Sequence, residues 1–215
     1  MGNPYIKICG LTKEKEAEFI NENGVEFVGN VLFFEKSHRC VSIEQAKRIH
    51  RELDDAIKKV AVVVSPTIDE LSQIADAGFD LVQIHGSLPS FDSLKELGIG
   101  VLRAWNGTGM EAETDLFAQP FCAGCLLDAA TPGSGKSYDP KLYEAMRSFV
   151  RAHDPKADGR LMFLAGGLTP DNVSDVIKRV SPAGVDISSG VELADKSGKD
   201  PEAIRRFVRA VREKS

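Results

Sequence analysis

The stretch Leu161-Met162-Phe163-Leu164-Ala165-Gly166-Gly167-Leu168-Thr169-Pro170 runs on through Val173, Val176, Ile177 and Val180 to Val185-Asp186-Ile187-Ser188. Its first five residues form an apolar run of strand length, broken by the Gly166-Gly167 pair. Thr169-Pro170 then supplies a capping side chain followed by proline at the first helical position. Apolar residues at spacings of three and four line one face of the helix that follows. Val185–Ser188 reads as a second strand. Strand, helix and strand within about 30 residues make a βαβ unit, whose parallel strands are covered by helices.

Working outward, the same unit recurs from end to end. Tyr5–Cys9, Phe27–Phe33, Lys59–Val64, Leu81–His85, Val101–Trp105 and Cys125–Asp128 are further strand candidates, short and rich in Val, Ile, Leu and Phe. Ser42-Ile43-Glu44-Gln45 and Thr67-Ile68-Asp69-Glu70 read as capping boxes. Asp139-Pro140 and Asp200-Pro201 repeat the cap-then-proline pattern, and Ile204, Phe207, Val208 and Val211 form a final apolar stripe. One unit departs. Asn106 to Gly124 holds Gly107, Gly109 and Pro120 around a weak helical pattern at Thr114–Gln119, so the fifth helix is expected to be short, irregular or missing. Eight evenly spread units with no Gly-rich dinucleotide turn after the first strand point to an α/β fold. The expected form is a single (β/α)8 TIM barrel spanning residues 1–215 as one catalytic domain, rather than a doubly wound sheet.

Of the 215 residues 42% are hydrophobic and 27% charged, with a formal net charge of -5. That acidic balance excludes the basic face a nucleic-acid partner needs. The start, Met1 to Ile6, has no basic-then-apolar signal region, and Val60–Val64 is far too short to span a membrane. The expectation is a cytoplasmic protein with neither nucleic-acid nor membrane partner; no feature specifies an oligomeric state. Cys122-Ala123-Gly124-Cys125 has redox or metal spacing, but no second ligand pair exists to complete a zinc site. No metal is expected, and the two thiols read as free cysteines where a strand begins.

Side chains alternate across a strand. With Ile6 and Ile8 toward the helices, Lys7 and Cys9 face the barrel interior; with Val82 and Ile84 outward, Gln83 and His85 face in. Arg103 with Trp105, Leu126 with Asp128, and Asp186 with Ser188 share faces. On this reading Lys7, Arg103, Asp128 and Asp186 are interior charges, and buried charges must pair or serve a ligand. Cys9, His85, Asp128 and Asp186 stand nearest strand C-termini, where barrel active sites are built. Gly166-Gly167 after the seventh strand and Ser189-Gly190 after the eighth let backbone N–H groups approach an anion. Barrels often hold phosphate between these two loops.

These residues resemble the phosphoribosylanthranilate isomerase family of tryptophan biosynthesis from about Ile6 to the last helix. The resemblance rests on Lys7-Ile8-Cys9-Gly10-Leu11, Ser37-His38-Arg39, Gln83-Ile84-His85-Gly86, Leu126-Leu127-Asp128, Gly133-Ser134-Gly135-Lys136, Gly166-Gly167-Leu168, Asp186-Ile187-Ser188-Ser189-Gly190-Val191-Glu192 and Lys199-Asp200. It implies an isomerase that needs no cofactor and takes a small phosphorylated substrate. The implied reaction is an Amadori rearrangement of N-(5-phosphoribosyl)anthranilate by general acid–base catalysis. Cys9 is implied as base and Asp128 as acid, with Arg39 on the anthranilate carboxylate and His85 and Asp186 lining the substrate. Departures from the family pattern are Asn30 in place of an aromatic residue, a Gly29-to-Ser37 segment one residue longer, Ser65 for Asn, and Tyr138 and Pro140 after the glycine-rich loop. Rival readings are an epimerase or indoleglycerol-phosphate synthase barrel, or a redox or metal-binding protein built on Cys122 and Cys125.

Overall fold

Each short apolar run becomes a strand of one parallel sheet. The strands are β1 (Tyr5–Cys9), β2 (Phe27–Val31), β3 (Lys58–Val64), β4 (Leu81–His85), β5 (Gly100–Trp105), β6 (Cys122–Leu127), β7 (Leu161–Leu164) and β8 (Gly184–Ile187). They pair in chain order and close into a barrel, β8 lying beside β1 with Lys7 opposite Asp186. The covering helices are α1 (Glu16–Glu22), α2 (Ile43–Arg51), α3 (Ile68–Asp76), α4 (Phe91–Leu97), α5 (Pro140–His153), α6 (Val173–Val180) and α7 (Pro201–Arg212). This computed structural model describes residues 3–106, 109–128, 140–154 and 159–213. Asp139 and the Gly133–Lys136 and Tyr138 positions lie outside the described residues, as does Gly107.

Alternation along the strands builds two apolar layers. Ile6, Ile8, Val28, Ala61, Val63, Val82, Ile84, Val185 and Ile187 face the helices, where the stripes of α6 and α7 are buried against them. Phe27, Val60, Val62, Leu102, Ala104, Leu126 and Phe163 fill the interior. Phe27 and Phe163 meet edge-to-face there, 5.3 Å between ring centroids.

Several boundaries differ from the sequence reading, each for a local reason. The second strand stops at Val31 because Phe33 turns left-handed, with φ 55°, although the Leu32 N–H still bonds Val62 O at 3.0 Å. The sixth strand begins early, at Cys122. A register slip opposite Val101 and Leu102 adds one residue to it, so Cys122 and Cys125, three apart, both reach the outer layer as buried free thiols. A 3-10 helix at Met110–Leu116 stands in place of a fifth α-helix. The Thr67 capping box is complete, but at Ser42 only half forms. Ser42 Oγ accepts from the Gln45 N–H at 3.1 Å, while the Gln45 amide turns away to Thr12 O and Glu14. Asp200 caps α7 as expected. Thr169 does not cap α6 directly: it exchanges hydrogen bonds with Asn172, and the helix begins at Val173.

The interior placement of Arg103 is wrong. In the β5 alternation Leu102 and Ala104 point inward, and Arg103 points out toward the 3-10 helix. There its fork binds Glu113 at 2.6 and 2.7 Å, and its third nitrogen donates to Ile84 O. Trp105 Nε1 donates to the same carboxylate, so this cluster ties the 3-10 helix to the barrel where a helix is lacking. Among the described residues no helix is long and apolar enough to cross a membrane.

Asn30, one of the departures, also faces outward. It is fully buried, donates to Leu11 O at 3.0 Å and accepts from His50 Nε2 at 2.8 Å. Burial, aided by Lys59, holds His50 down at about 4. The unfolded chain, with an ordinary histidine near ~6.5, therefore binds more protons below that pH. Stability is present above about 6.5 and is lost as pH falls toward 4, by roughly 1 kcal/mol per pH unit. Chemical denaturation between pH 7 and 4 should show this decline, and His50→Gln should flatten it; an unchanged slope in that variant contradicts the assignment.

Candidate active site

A cavity of about 480 Å³ opens at the C-terminal ends of the strands. Its wall brings together Cys9 from β1, His85 from β4, Asp128 just past β6, Gly166 and Gly167 past β7, and Asp186 and Ser189 at β8; Arg39 reaches it from the β2–α2 loop. Of the residues given a catalytic or binding role from the sequence, only Gly190 is not on that wall. It packs under the neighbouring loop instead, since a Cβ there would sit 2.1 Å from Leu168 O. Lys196 and Glu192 line the cavity without having been assigned a role from the sequence.

Charged groups gather around Cys9. Lys7, wholly buried, donates to Asp186 Oδ1 at 3.0 Å, so the interior charges of β1 and β8 pair with each other within the site. Burial alone would strip the lysine of its proton, but Asp186 and Cys9 beside it more than compensate and hold it as an ammonium. Burial pushes the Cys9 thiol up, while Lys7 and Lys199 pull it back. Both the thiol and the Lys7 ammonium crowd the bare face of Gly29 on β2. A Cβ there would lie 2.9 Å from Cys9 Sγ and 3.3 Å from Lys7 Nζ.

His85 Nε2 lies 2.8 Å from the Gln83 amide nitrogen. Burial first, then Lys7 and Arg103, depress its titration to about 4, so at neutral pH the imidazole stands on the cavity wall as a neutral hydrogen-bonding group rather than a cation. The Gln83 oxygen is buried with no protein partner among the described residues.

Gly166 and Gly167 take left-handed conformations, φ 86° and 66°, which turn the chain sharply past β7. Among the described residues the N–H groups of Gly166, Gly167, Ser189 and Gly190 donate to no protein acceptor. Unengaged N–H groups on two neighbouring loops are the donors that anions commonly bind.

Arg39 lies across Gly10, and its fork is held by Glu192 through Nε and, at 2.9 Å, Nη2. Lys199, 3% exposed, donates to Glu192 Oε1 at 3.3 Å and to Ser188 O at 3.1 Å. Glu192 is held down at about 2: burial would raise it, and Arg39 and Lys199 outweigh that. Sequence reasoning named Glu192 and Lys199 only as members of motifs. Their mutual distance along the chain, seven residues, gave no sign that an antiparallel bridge folds one back on the other.

A closed (β/α)8 barrel whose strand ends gather a thiol, a carboxylate, a neutral imidazole and two loops with unengaged N–H groups is laid out as an enzyme of the TIM-barrel class. Residues 6–210 match the family model for N-(5'-phosphoribosyl)anthranilate isomerase. The N-(5'-phosphoribosyl)anthranilate isomerase of Citrifermentans bemidjiense is 38% identical over 209 residues, 94% of each chain, and that of Streptococcus mutans 34%, over 96% of this chain and 98% of the relative. The crystal structure of the enzyme from Thermotoga maritima superposes with a TM-score of 0.80 at 33% identity, covering 98% of this chain and 99% of that one. Another solved isomerase, in complex with reduced 1-(o-carboxyphenylamino)-1-deoxyribulose 5-phosphate, gives 0.77 at 31%, with the same coverage. The chain belongs to the N-(5'-phosphoribosyl)anthranilate isomerase family and is an isomerase of tryptophan biosynthesis, which sets aside the epimerase, synthase and thiol-redox readings.

Gly29 yields a direct test. Gly29→Ala should push the thiol out of line, lowering turnover by roughly 10–100-fold with the fold retained, since displacements of about 1 Å have effects of that size. Steady-state assay with circular dichroism checks it; full turnover would show that the thiol tolerates the shift.

Proposed function

We propose that Cys9 and Asp128 carry the isomerisation of N-(5'-phosphoribosyl)anthranilate to 1-(2-carboxyphenylamino)-1-deoxyribulose 5-phosphate, as base and acid of one catalytic barrel. Asp128 gives a proton to the furanose ring oxygen, the C1–O bond breaks, and the anthranilate nitrogen's lone pair forms an iminium at C1. Cys9, as thiolate, removes the proton at C2; the C–H electrons move toward the iminium and give an enolamine, which tautomerises to the ketone. The roles need an acid that keeps its proton and a thiol that loses one, although ordinary values run the other way, near ~3.9 and ~8.5.

The observation that carries this reading is the position of Cys9, pressed against Gly29 beside the Lys7 ammonium, on the same cavity as Asp128. Two buried cations, Lys7 and Lys199, favour the thiolate, and the iminium made by ring opening adds a third positive charge just when the thiolate is needed. The Gly166–Gly167 and Ser189–Gly190 loops take the phosphate through their N–H groups. Arg39 receives the anthranilate carboxylate, and His85 and Asp186 border the sugar.

Cys9→Ser and Asp128→Asn should each lower kcat by roughly 10²–10⁴-fold with the fold intact. Because only the thiolate is a base and burial raises its titration, wild-type kcat/KM should climb with pH from neutral into the alkaline range. Generating the substrate in situ and following loss of its fluorescence measures both. Near-full turnover in either variant removes that residue from the mechanism.

A further inference from the structure

The side chain expected to receive the anthranilate carboxylate already holds a carboxylate. Glu192 grips the Nε–Nη2 edge of Arg39 side-on, and its own side chain is only 8% exposed. His38 stands 3.5 Å from the same carboxylate. A guanidinium has a second carboxylate-binding edge, formed by Nη1 and the outer N–H of Nη2. Among the described residues Arg39 Nη1 donates to no protein acceptor.

Glu192 is in turn immobilised from behind. Lys199 donates to it from a buried position and is itself fixed at the backbone, where its N–H gives a 2.7 Å bond to Glu16 Oε1. Glu16 is fully buried, and its other oxygen accepts from the N–H groups of Thr12 and Lys13 at 2.7 and 3.0 Å. The β1–α1 loop, the loop leading to α7 and the carboxylate on Arg39 are thus one connected set. On the other side of the arginine, Gly10 leaves room that a side chain would fill, a Cβ there falling 2.5 Å from Arg39 Cδ.

We propose that Glu192 is a positioning residue. Its side-on grip, backed by Lys199 and Glu16, fixes the plane of the Arg39 guanidinium over Gly10 so that the end-on edge receives the aromatic carboxylate of the ligand. Glu192 therefore stays on Arg39 when ligand binds and is not displaced by it. Specificity for an ortho-carboxylated aniline over the bare aniline then depends on a residue that does not touch the ligand. The inference rests on the reading of Arg39 given above.

The test compares two ligands, reduced 1-(2-carboxyphenylamino)-1-deoxyribulose 5-phosphate and its counterpart without the carboxylate, by calorimetry on Glu192→Gln, Glu192→Ala and Arg39→Ala. Loss of one charge-assisted contact of this kind corresponds to about tenfold or more in affinity. Glu192→Ala should weaken the carboxylated ligand by about that factor and leave the other within about twofold, with KM rising much more than kcat falls. Glu192→Gln, which keeps size and one acceptor, should fall between wild type and Glu192→Ala. Equal weakening of both ligands makes Glu192 a general structural strut and overturns the proposal, as does no change in either. If Arg39→Ala itself does not discriminate between the ligands, the carboxylate reading of Arg39 is what fails, and the proposal with it.

Discussion

Lys7 and Asp186 face each other 3.0 Å apart where the first strand meets the last, and the lysine is shut off from water entirely. An ion pair in such a place is not there for stability, since an apolar pair of similar size would serve as well or better. Removing either partner, however, strands a buried charge, at a cost of about 3–5 kcal/mol. The barrel seam is thus committed to carrying charge, and that charge governs its surroundings. Lys7 helps keep His85 neutral and lowers the cost of ionising Cys9. Gly29 leaves the space in which thiol and ammonium sit together. Below this level the interior reverts to Phe27, Phe163 and aliphatic side chains, so polarity is confined to the end where ligand enters.

A second chain of charge runs outside the strands, from Glu16 through Lys199 and Glu192 to Arg39. The two chains converge on Cys9, which feels both buried lysines. One surrounds the thiol proposed to react and the other holds the arginine proposed to recognise the carboxylate, and both lie at the same end of the barrel. A buried carboxylate that accepts backbone N–H groups from two loops, as Glu16 does from the start of α1, gives these loops a rigidity that hydrophobic burial alone does not supply.

Much of this was legible in the residues because periodicity reports burial directly. The βαβ unit of Leu161–Ser188 set the class, and the alternations in β1, β4 and β8 sorted Lys7, Cys9, Gln83, His85 and Asp186 to the interior. Where a strand offers apolar residues on both faces the same logic misleads: with Val101, Leu102, Ala104 and Trp105 around it Arg103 was assigned to the interior, and it proved to face Glu113 on the outside. The bulge that carries Cys122 and Cys125 to one face is likewise invisible to a period of two. The partner of Arg39 was out of reach for a different reason. Glu192 lies 153 residues away in sequence, and a contact of that separation exists only once the barrel has closed.

The claim that most depends on all of this is that Lys7 sustains the ionised form of Cys9. It is tested by the pH dependence of iodoacetamide alkylation at Cys9, followed by peptide mass spectrometry in wild type and in Lys7→Met, with folding checked by circular dichroism. Loss of the cation should move the alkylation midpoint of Cys9 to higher pH, leaving Cys40 alkylation unchanged as an internal control. A Cys9 midpoint that stays in place, or moves lower, would contradict the role given to the ion pair.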